Sequence, residues 1–353
     1  MELDFKFSIK KRNRIEILNL LLNKGPLSRV DIANSIKLTK AAVTIITNEM
    51  IQCGLLYEKS GQPQQNRLTR GRRKILLDIN EYYRLVFGIV FEKDSMIIGL
   101  TNLKGETLDK KKIQINGKVY REVLELIVTE IQRLMKSNCI TSEKILGIGV
   151  CMQNLSCSFM EQGTVEEKLI RMKKDLSYAI SIKIVTQTTV NACLIAQHLF
   201  QQETKNKENI LMIRYGDTID AGVMIRNQVY ITQSKRCGGF QVMQYRGESD
   251  TYNEYQISLQ QHPENEEQIK KELQQHLAKD IHICQLVLDA NAIYAYGNYF
   301  EETQENIAQI NTILSCVFHQ KTPVQLSCIT TPTIYLAGCA IAINECFYKE
   351  GAC

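Results

Sequence analysis

The sequence predicts an α/β protein that consists of a small helical domain and a larger two-lobed body. Residues 1–80 carry three short helix patterns and two strand-like runs, whereas strand patterns alternate with single helices from residue 81 onward. The charge divides near the same point. Residues 1–78 hold 15 Lys or Arg against 7 Asp or Glu, and the remaining 275 residues hold 28 against 31. This asymmetry favours a basic module for a polyanion, joined to a near-neutral body.

The composition is typical of a soluble globular protein, with 44% hydrophobic and 23% charged residues. No stretch approaches the ~20 apolar residues that cross a bilayer, and the N-terminus lacks the apolar centre of a signal peptide, so we expect a cytoplasmic protein with no membrane partner. The 12 cysteines are scattered without a CxxC pair. We therefore expect reduced thiols that act as small hydrophobes, and no bound metal.

Three amphipathic helices are predicted in the basic part. In the first, Ile15, Leu18 and Leu22 fall at helical spacing, and a Gly-Pro pair ends the helix. Ser28 is the predicted N-cap of the second helix, and Thr39 is the predicted N-cap of the third. The expected apolar face of the second helix is Val30, Ile32, Ala33 and Ile36.

The third helix is predicted to present a polar face suited to the major groove of DNA. Val43, Ile46 and Met50 share a spacing of three and four, which points them inward. The outward side chains are then mostly small, hydroxylated or cationic, which allows close approach to base edges without repelling phosphate. They are Lys40, Ala41, Thr44, Ile45 and Asn48.

Two strand-like runs, LLYEK and RKILLDIN, enclose a glycine-containing cationic loop, which is the pattern of a wing. Such a loop suits phosphate or minor-groove contact. The sequence therefore predicts a winged helix-turn-helix. The alternative is a small three-helix bundle that binds protein, or simply a solvated charged loop. The predicted DNA-binding residues are Ser28, Arg29, Thr39, Lys40, Ala41, Thr44, Arg67, Arg70, Gly71, Arg72 and Arg73.

The run GPLSRVDIANSIKLTKAAVTIITNEMIQCGLL, followed by TRGRRKILLDIN, resembles the DNA-binding domain of the ROK family of repressors and sugar kinases. The order and spacing of later segments resemble the same family. The resemblance implies a two-lobed actin-like/sugar-kinase fold after the winged domain. Its expected parts are a domain at 1–80, a small lobe at 81–200 and a larger lobe at 201–353, with a last helix at about 332–348 that packs back on the small lobe.

Individual body elements are also predicted. FGIVFEKDSMIIGLTNLKGETL suggests paired strands, and ILGIGV a buried strand. A hairpin is expected at Asn227-Gln228, a further buried strand at HICQLVLDA, and a solvated helix from about residue 264. One long helix is expected to bury Val123, Ile127, Ile131 and Leu134.

The family's phosphate-binding motifs are degenerate here. The first loop, DxGxT in the kinases, corresponds to residues 90–94 (VFEKD), which contain no glycine. The second, GTGIGAG, corresponds to residues 216–222, where Thr218 and Asp220 replace two glycines. A third glycine pair is assigned to Asp289-Ala290. We therefore expect no ATP binding and no cofactor.

The sugar-site motifs are altered as well. The run TQTTVNACLIAQ is interpreted as a loop that resembles the family's ENDxN segment, and its register places the neutral Thr189 where the kinases carry their aspartate base. Phe240 and Met243 replace the polar contacts of the GEIGH segment, and the zinc cysteines that follow it are missing. The candidate effector-binding residues are Gln187, Thr188, Thr189, Asn191, Phe240 and Met243.

The sequence thus predicts a DNA-binding transcriptional regulator, a repressor in the first instance, and not an enzyme. By the family resemblance it would be a homodimer or homotetramer on a palindromic operator of double-stranded DNA, with half-sites about 10 bp or a multiple apart. Its body would bind a small-molecule effector, a sugar or an altered ligand, or would serve only in oligomerisation. The alternative is a ROK-type sugar kinase with an N-terminal DNA-binding extension.

Overall fold

The structure is a computed structural model that describes residues 2–60, 74–153, 159–160, 163–216, 219–231 and 252–351. Within these residues the strands form one two-stranded sheet and two five-stranded sheets. The predicted α/β class, with a small N-terminal unit ahead of a two-lobed body, is confirmed.

The N-terminal unit has the predicted three helices and strand pair. They are α1 (Glu2–Lys24), α2 (Arg29–Ile36), α3 (Lys40–Gln52), β1 (Leu56–Ser60) and β2 (Ile75–Ile79), with the two strands antiparallel. Both predicted caps are present. The Ser28 hydroxyl accepts a hydrogen bond from the Asp31 N–H at 3.3 Å, and the Thr39 hydroxyl accepts one from the Ala42 N–H at 3.2 Å. Each cap stabilises its helix by about 1 kcal/mol.

The inward faces of α1 and α2 differ in detail from the prediction. α1 begins at Glu2, well before the predicted start, and its most deeply buried apolar residues are Ile17, Leu18 and Leu21. Val30 was expected in the core, but it is 43% exposed. It lies two positions before the buried Ile32, and two positions along a helix turn a side chain to the other side.

The first five-stranded sheet has the order β5-β4-β3-β6-β7. Its strands are β3 (Leu85–Phe91), β4 (Ser95–Thr101), β5 (Thr107–Gln114), β6 (Ile145–Met152) and β7 (Ile184–Thr188). The first three are antiparallel neighbours, and β6 and β7 join in parallel. The associated helices are α4 (Tyr120–Ser137), α5 (Val165–Ala179) and α6 (Thr189–Phe200). All four core positions predicted for α4 are buried.

The second five-stranded sheet repeats this plan, with the order β10-β9-β8-β11-β12 and the same strand directions. Its strands are β8 (Ile210–Tyr215), β9 (Ile219–Ile225), β10 (Gln228–Val229), β11 (Ala292–Tyr296) and β12 (Val324–Leu326). Its helices are α7 (Tyr252–Gln261), α8 (Glu266–Leu288), α9 (Asn298–Glu302) and α10 (Gln304–Cys316). Two copies of one sheet plan constitute the predicted two-lobed, actin-like architecture.

The last helix, α11 (Tyr335–Ile343), continues into a π-helical segment, Asn344–Lys349, and packs on the first sheet. Glycines allow this contact. A Cβ atom on Gly88 would lie 2.0 Å from the Tyr335 carbonyl oxygen, and one on Gly149 would lie 1.8 Å from the Gly338 carbonyl oxygen. The small-residue helix is therefore seated directly against the backbone of β3 and β6.

Three predictions for the second lobe were wrong. The run at 282–290 is the end of α8 and not a strand, and its apolar Leu286 and Val287 are exposed. The hairpin turns at Arg226-Asn227, one residue earlier than predicted, because both residues have positive φ. The late strand is β11, so the residues after it are Gly297-Asn298 and not Asp289-Ala290.

Candidate functional site

The structure confirms which side chains of α3 point to the core and which point to solvent. Val43, Ile46 and Met50 are buried in the core that α3 shares with α1 and α2. The side chains on the opposite face are exposed, namely Lys40, Ala41, Thr44, Ile45 and Asn48. The contact of these residues with DNA stays a prediction, but their position leaves them open to a partner.

Hydrogen bonds within the protein already use much of the polar capacity of this face. The Thr44 hydroxyl donates to the Lys40 carbonyl oxygen at 2.7 Å, and the Asn48 side-chain oxygen accepts from Arg29 Nη2 at 2.9 Å. Lys40 has no ion-pair partner within the described residues. Its ammonium is therefore the cation on this face that is available to a phosphate or a base edge.

Two of the predicted DNA-binding residues have structural roles. Ser28 is buried, and its hydroxyl both donates to the Asp31 carboxylate at 2.7 Å and caps α2. Arg29 is half-buried and forms an ion pair with Glu58 at 2.9 Å. Its Nε also donates to the Thr47 hydroxyl at 3.1 Å. Arg29 thus ties α2 to both α3 and β1.

The wing residues Arg67, Arg70, Gly71, Arg72 and Arg73 lie outside the described residues. The strands that flank them are in register from Leu56 opposite Ile79 to Ser60 opposite Ile75. Beside this hairpin, the Lys74 ammonium lies 2.8 Å from the Asp31 carboxylate. The hydrogen bonds from Lys74 and then Ser28 lower the pKa of Asp31.

The run interpreted as an active-site loop is a strand-to-helix junction. Gln187 and Thr188 end β7, and α6 begins at Thr189 without a loop. Three predicted effector residues, Gln187, Thr188 and Asn191, line one cavity of about 240 Å³. Its other walls are mainly apolar and come from α5, β7 and the segment that follows β10: Glu166, Leu169, Ile170, Thr186 and Ile231.

Thr189, a further predicted effector residue, is not part of this cavity wall. Thr189 is only 2% exposed, and its hydroxyl has no hydrogen-bond partner among the described residues. Its burial and its neutral side chain both argue against a role as a general base. Phe240 and Met243 lie outside the residues that the structure describes.

A larger cavity, of about 390 Å³, lies between the two five-stranded sheets. The β3–β4 turn, interpreted as the first phosphate loop, forms one wall with Glu92 and Asp94. Arg214 on β8 lies at the opposite wall, and its Nη1 donates to the Gln153 side-chain oxygen at 2.7 Å across the cleft. The Arg214 guanidinium is also 3.7 Å from the Asp220 carboxylate.

Sequence reasoning missed Arg214 and Gln153 in this cleft. The signal for Arg214 was a single cation inside the apolar run ILMIRY, since a buried strand carries a charge only where a partner satisfies it. Gly297 was missed because the late strand was misplaced. It has a φ of +104°, and a Cβ there would lie 2.5 Å from the Tyr215 carbonyl oxygen. Gly297 therefore lies directly after the late strand, where the third glycine pair was expected.

The cysteines of the described ranges are free thiols. Burial raises the pKa of Cys193 and of Cys339 to about 12, so neither is a reactive thiolate. Within the same ranges, no group of three His, Cys, Asp or Glu side chains could hold a metal ion. No helix in the described part of the chain carries an apolar stretch that could span a bilayer.

Similar sequences are found among bacterial repressors. The xylose repressor of Caldicellulosiruptor bescii is 24% identical over 229 residues, which is 63% of this chain and 56% of that protein. The DNA-binding transcriptional dual regulator NagC of Escherichia coli is 20% identical over 236 residues, or 65% of this chain and 56% of NagC. The matches thus span little more than half the length of these relatives. No profile of a known protein family matches the chain.

Solved structures share the fold over a longer span. A ROK family transcriptional regulator, a homolog of the E. coli MLC protein, has a TM-score of 0.70 at 17% identity, and the match covers 97% of each chain. This chain therefore has the fold of that ROK-family regulator. The ROK hexokinase of Thermus thermophilus has a TM-score of 0.57 at 13% identity and matches 74% of this chain and 99% of its own. The ROK body plan is thus shared with sugar kinases as well as regulators.

Proposed function

We propose that this chain is a cytoplasmic, sequence-specific DNA-binding transcriptional regulator that acts as a repressor and not as an enzyme. The observation that carries the proposal is the solvent-exposed face of α3, set beside a strand pair in a unit with 15 basic and 7 acidic residues. Similarity to proteins named as repressors supports it. In this proposal residues 1–80 bind DNA, and residues 81–200 and 201–353 form the two lobes.

The proposed partner is a palindromic operator in double-stranded DNA. The N-terminal turns of α3, with Thr39, Lys40, Ala41 and Thr44, enter the major groove, and the wing arginines contact phosphates or the minor groove. A homodimer or homotetramer places two such units on half-sites that are about one helical turn, or a multiple of it, apart. Ser28 contributes by capping α2, and Arg29 contributes by holding α2 against α3.

The experiment is a fluorescence-anisotropy titration of the full chain against duplexes from the region upstream of its own gene, at several salt concentrations. Arg72→Ala and Arg73→Ala are expected to weaken binding to all sequences and to lower the slope of log K against log salt by about 1 each. Lys136→Ala, which removes an exposed lysine of α4 in the body, serves as the control. Unchanged affinity and slope in both arginine variants would refute the wing assignment.

We further propose that the 240 Å³ cavity beside β7 holds the effector. Gln187, Thr188 and Asn191 supply hydrogen-bonding groups, while Leu169 and Ile170 give it apolar walls, which suits a ligand less hydroxylated than a free hexose. A thermal-shift screen of sugars, sugar phosphates and small apolar metabolites tests this. A ligand at 100 times its Kd stabilises the protein by roughly 2.7 kcal/mol. The shift should disappear in Asn191→Ala. If no ligand shifts the melting temperature, the body serves oligomerisation alone.

The second candidate function, a ROK-type sugar kinase, is favoured by the fold match to the Thermus thermophilus hexokinase. It is disfavoured by Thr189, a buried neutral residue at the expected position of the base, and by the absence of glycine from residues 90–94, the expected first phosphate loop. A coupled assay with ATP and a panel of hexoses decides between the two. ATP-dependent turnover that is lost in Thr189→Ala would establish the kinase.

A further inference from the structure

Ile45 is a large apolar side chain in the middle of the outward face of α3. It is 61% exposed, whereas Val43, Ile46 and Met50 of the same helix are buried. A single exposed aliphatic residue is ordinary on a protein surface. The position of Ile45 is what makes it informative, because it lies on the face that, under the proposed function, enters the major groove.

The neighbours of Ile45 make the centre of this face apolar. Ala41 lies one turn before it and is exposed. The Thr44 hydroxyl proton is engaged by the Lys40 carbonyl oxygen, and the Asn48 side-chain oxygen is engaged by Arg29. The Asn48 amide nitrogen and the Lys40 ammonium remain hydrogen-bond donors on this face, whereas the Ala41 and Ile45 side chains at its centre offer only C–H groups.

The major groove has one exposed apolar group that such a surface can recognise, the 5-methyl group of thymine. We infer that Ile45 determines sequence specificity by packing against a thymine methyl in each half-site. This inference rests on the proposed DNA-binding function and deepens it. The burial of one methyl group contributes about four-fold in affinity, so the contact discriminates thymine from cytosine without a hydrogen bond.

The test begins with the selection of a binding site by the full chain from a random duplex library. Each thymine of the selected site is then replaced singly by deoxyuridine, which lacks only the 5-methyl group. The wild type is expected to lose about four-fold in affinity at one thymine of each half-site. Ile45→Ala should show no loss at that thymine. Val119→Ala serves as the matched control, since Val119 is an aliphatic residue of the body with 62% exposure.

The possible outcomes separate the inference from the function on which it rests. If a site is selected but deoxyuridine is neutral at every thymine, the role of Ile45 is refuted and DNA binding stands. If Ile45→Ala keeps the same sensitivity to deoxyuridine, the methyl acts through DNA shape and the inference is again refuted. If no sequence is enriched at all, the proposed function fails together with the inference.

Discussion

Lys40 illustrates how the surroundings of a residue decide its role. It lies in the first turn of α3, is exposed, and has no ion-pair partner within the described residues. At one base pair of each half-site, we expect Lys40→Ala to reduce the difference in binding free energy between the preferred base pair and the others by about 1–3 kcal/mol. Thr44→Ala should relax it less, because the Thr44 hydroxyl already donates to the backbone.

Competition anisotropy with single-base variants of a selected site measures this preference. Lys136→Ala again provides the control for the loss of a positive charge. If Lys40→Ala lowers affinity equally for every variant, Lys40 contacts phosphate and does not read a base.

A second residue-scale prediction concerns Lys205, which is 9% exposed and whose ammonium has no hydrogen-bond partner among the described residues. Burial lowers its pKa to about 8. Between pH 8 and 10.5, the unfolded chain therefore binds more protons than the folded chain. The burial of the charged ammonium destabilises the folded state fully below pH 8, and this destabilisation decreases as the pH rises. We expect Lys205→Met to raise the free energy of unfolding by about 1–3 kcal/mol at pH 7.

Urea denaturation at pH 7 and at pH 10 measures the effect, which should shrink at the higher pH. Lys207→Met, two residues along and less buried, is the control and should change little. A stabilisation by Lys205→Met that is equal at both pH values would mean that added apolar packing, and not the buried charge, is its cause.

At the scale of elements, the seating of α11 against the first sheet depends on glycines. A Cβ on Gly149 would lie 1.8 Å from the Gly338 carbonyl oxygen, whereas one on Gly216 would lie 3.4 Å from its nearest neighbour. We expect Gly149→Ala to lower the free energy of unfolding by about 1–3 kcal/mol or more through overpacking. Gly216→Ala, the matched control, should cost less than 1 kcal/mol. Equal melting temperatures for the two variants would contradict this role of Gly149.

The elements also show how far local pattern predicts structure. The caps Ser28 and Thr39 and the core face of α4 were predictable, because each depends on residues within one or two turns. The apolar run at 282–288 was misassigned because Leu286 and Val287 are exposed at the end of a long helix. Spacing within a short apolar run cannot distinguish that case from a buried strand. Because the strand was misplaced, the third glycine pair was assigned to Asp289-Ala290 and Gly297 was overlooked.

Residues far apart in sequence account for the parts of the site that were not predicted. The cleft contact between Gln153 and Arg214 joins β6 to β8, and its existence depends on how the two sheets face each other. The burial of Thr189 likewise depends on the packing of α6 beneath the second sheet. The motif alignment identified the position of Thr189 but not its environment.

For the whole molecule, one continuous feature connects the cleft to the DNA-binding unit. Ile334, just before α11, lines the cavity between the sheets. At the far end of the same helical segment, the Tyr348 carbonyl oxygen accepts a hydrogen bond from Asn19 Nδ2 of α1 at 3.4 Å. A displacement of α11 would therefore reach α1 directly, which offers a physical route from the body to the DNA-binding helices.

The proposed symmetric assembly makes a prediction about spacing. On a selected palindrome, a duplex with both half-sites should bind at least ten-fold more tightly than a duplex with one, because the second contact is intramolecular. An insertion of 5 bp between the half-sites turns the second one to the opposite side of the helix and should remove this gain. Anisotropy titrations measure both effects. Equal affinity for one and two half-sites would mean that the chain binds as a monomer.

The most direct measurement of the central claim is the ratio of the affinity of the full chain for a selected duplex to its affinity for a scrambled duplex at fixed salt. With α3 as the recognition helix, we predict a ratio of about 1,000 or more for the wild type. The ratio should fall by at least ten-fold when Lys40, Thr44 and Ile45 are all replaced by alanine. A wild-type ratio near one, or a ratio unchanged by the triple replacement, would contradict the assignment of α3.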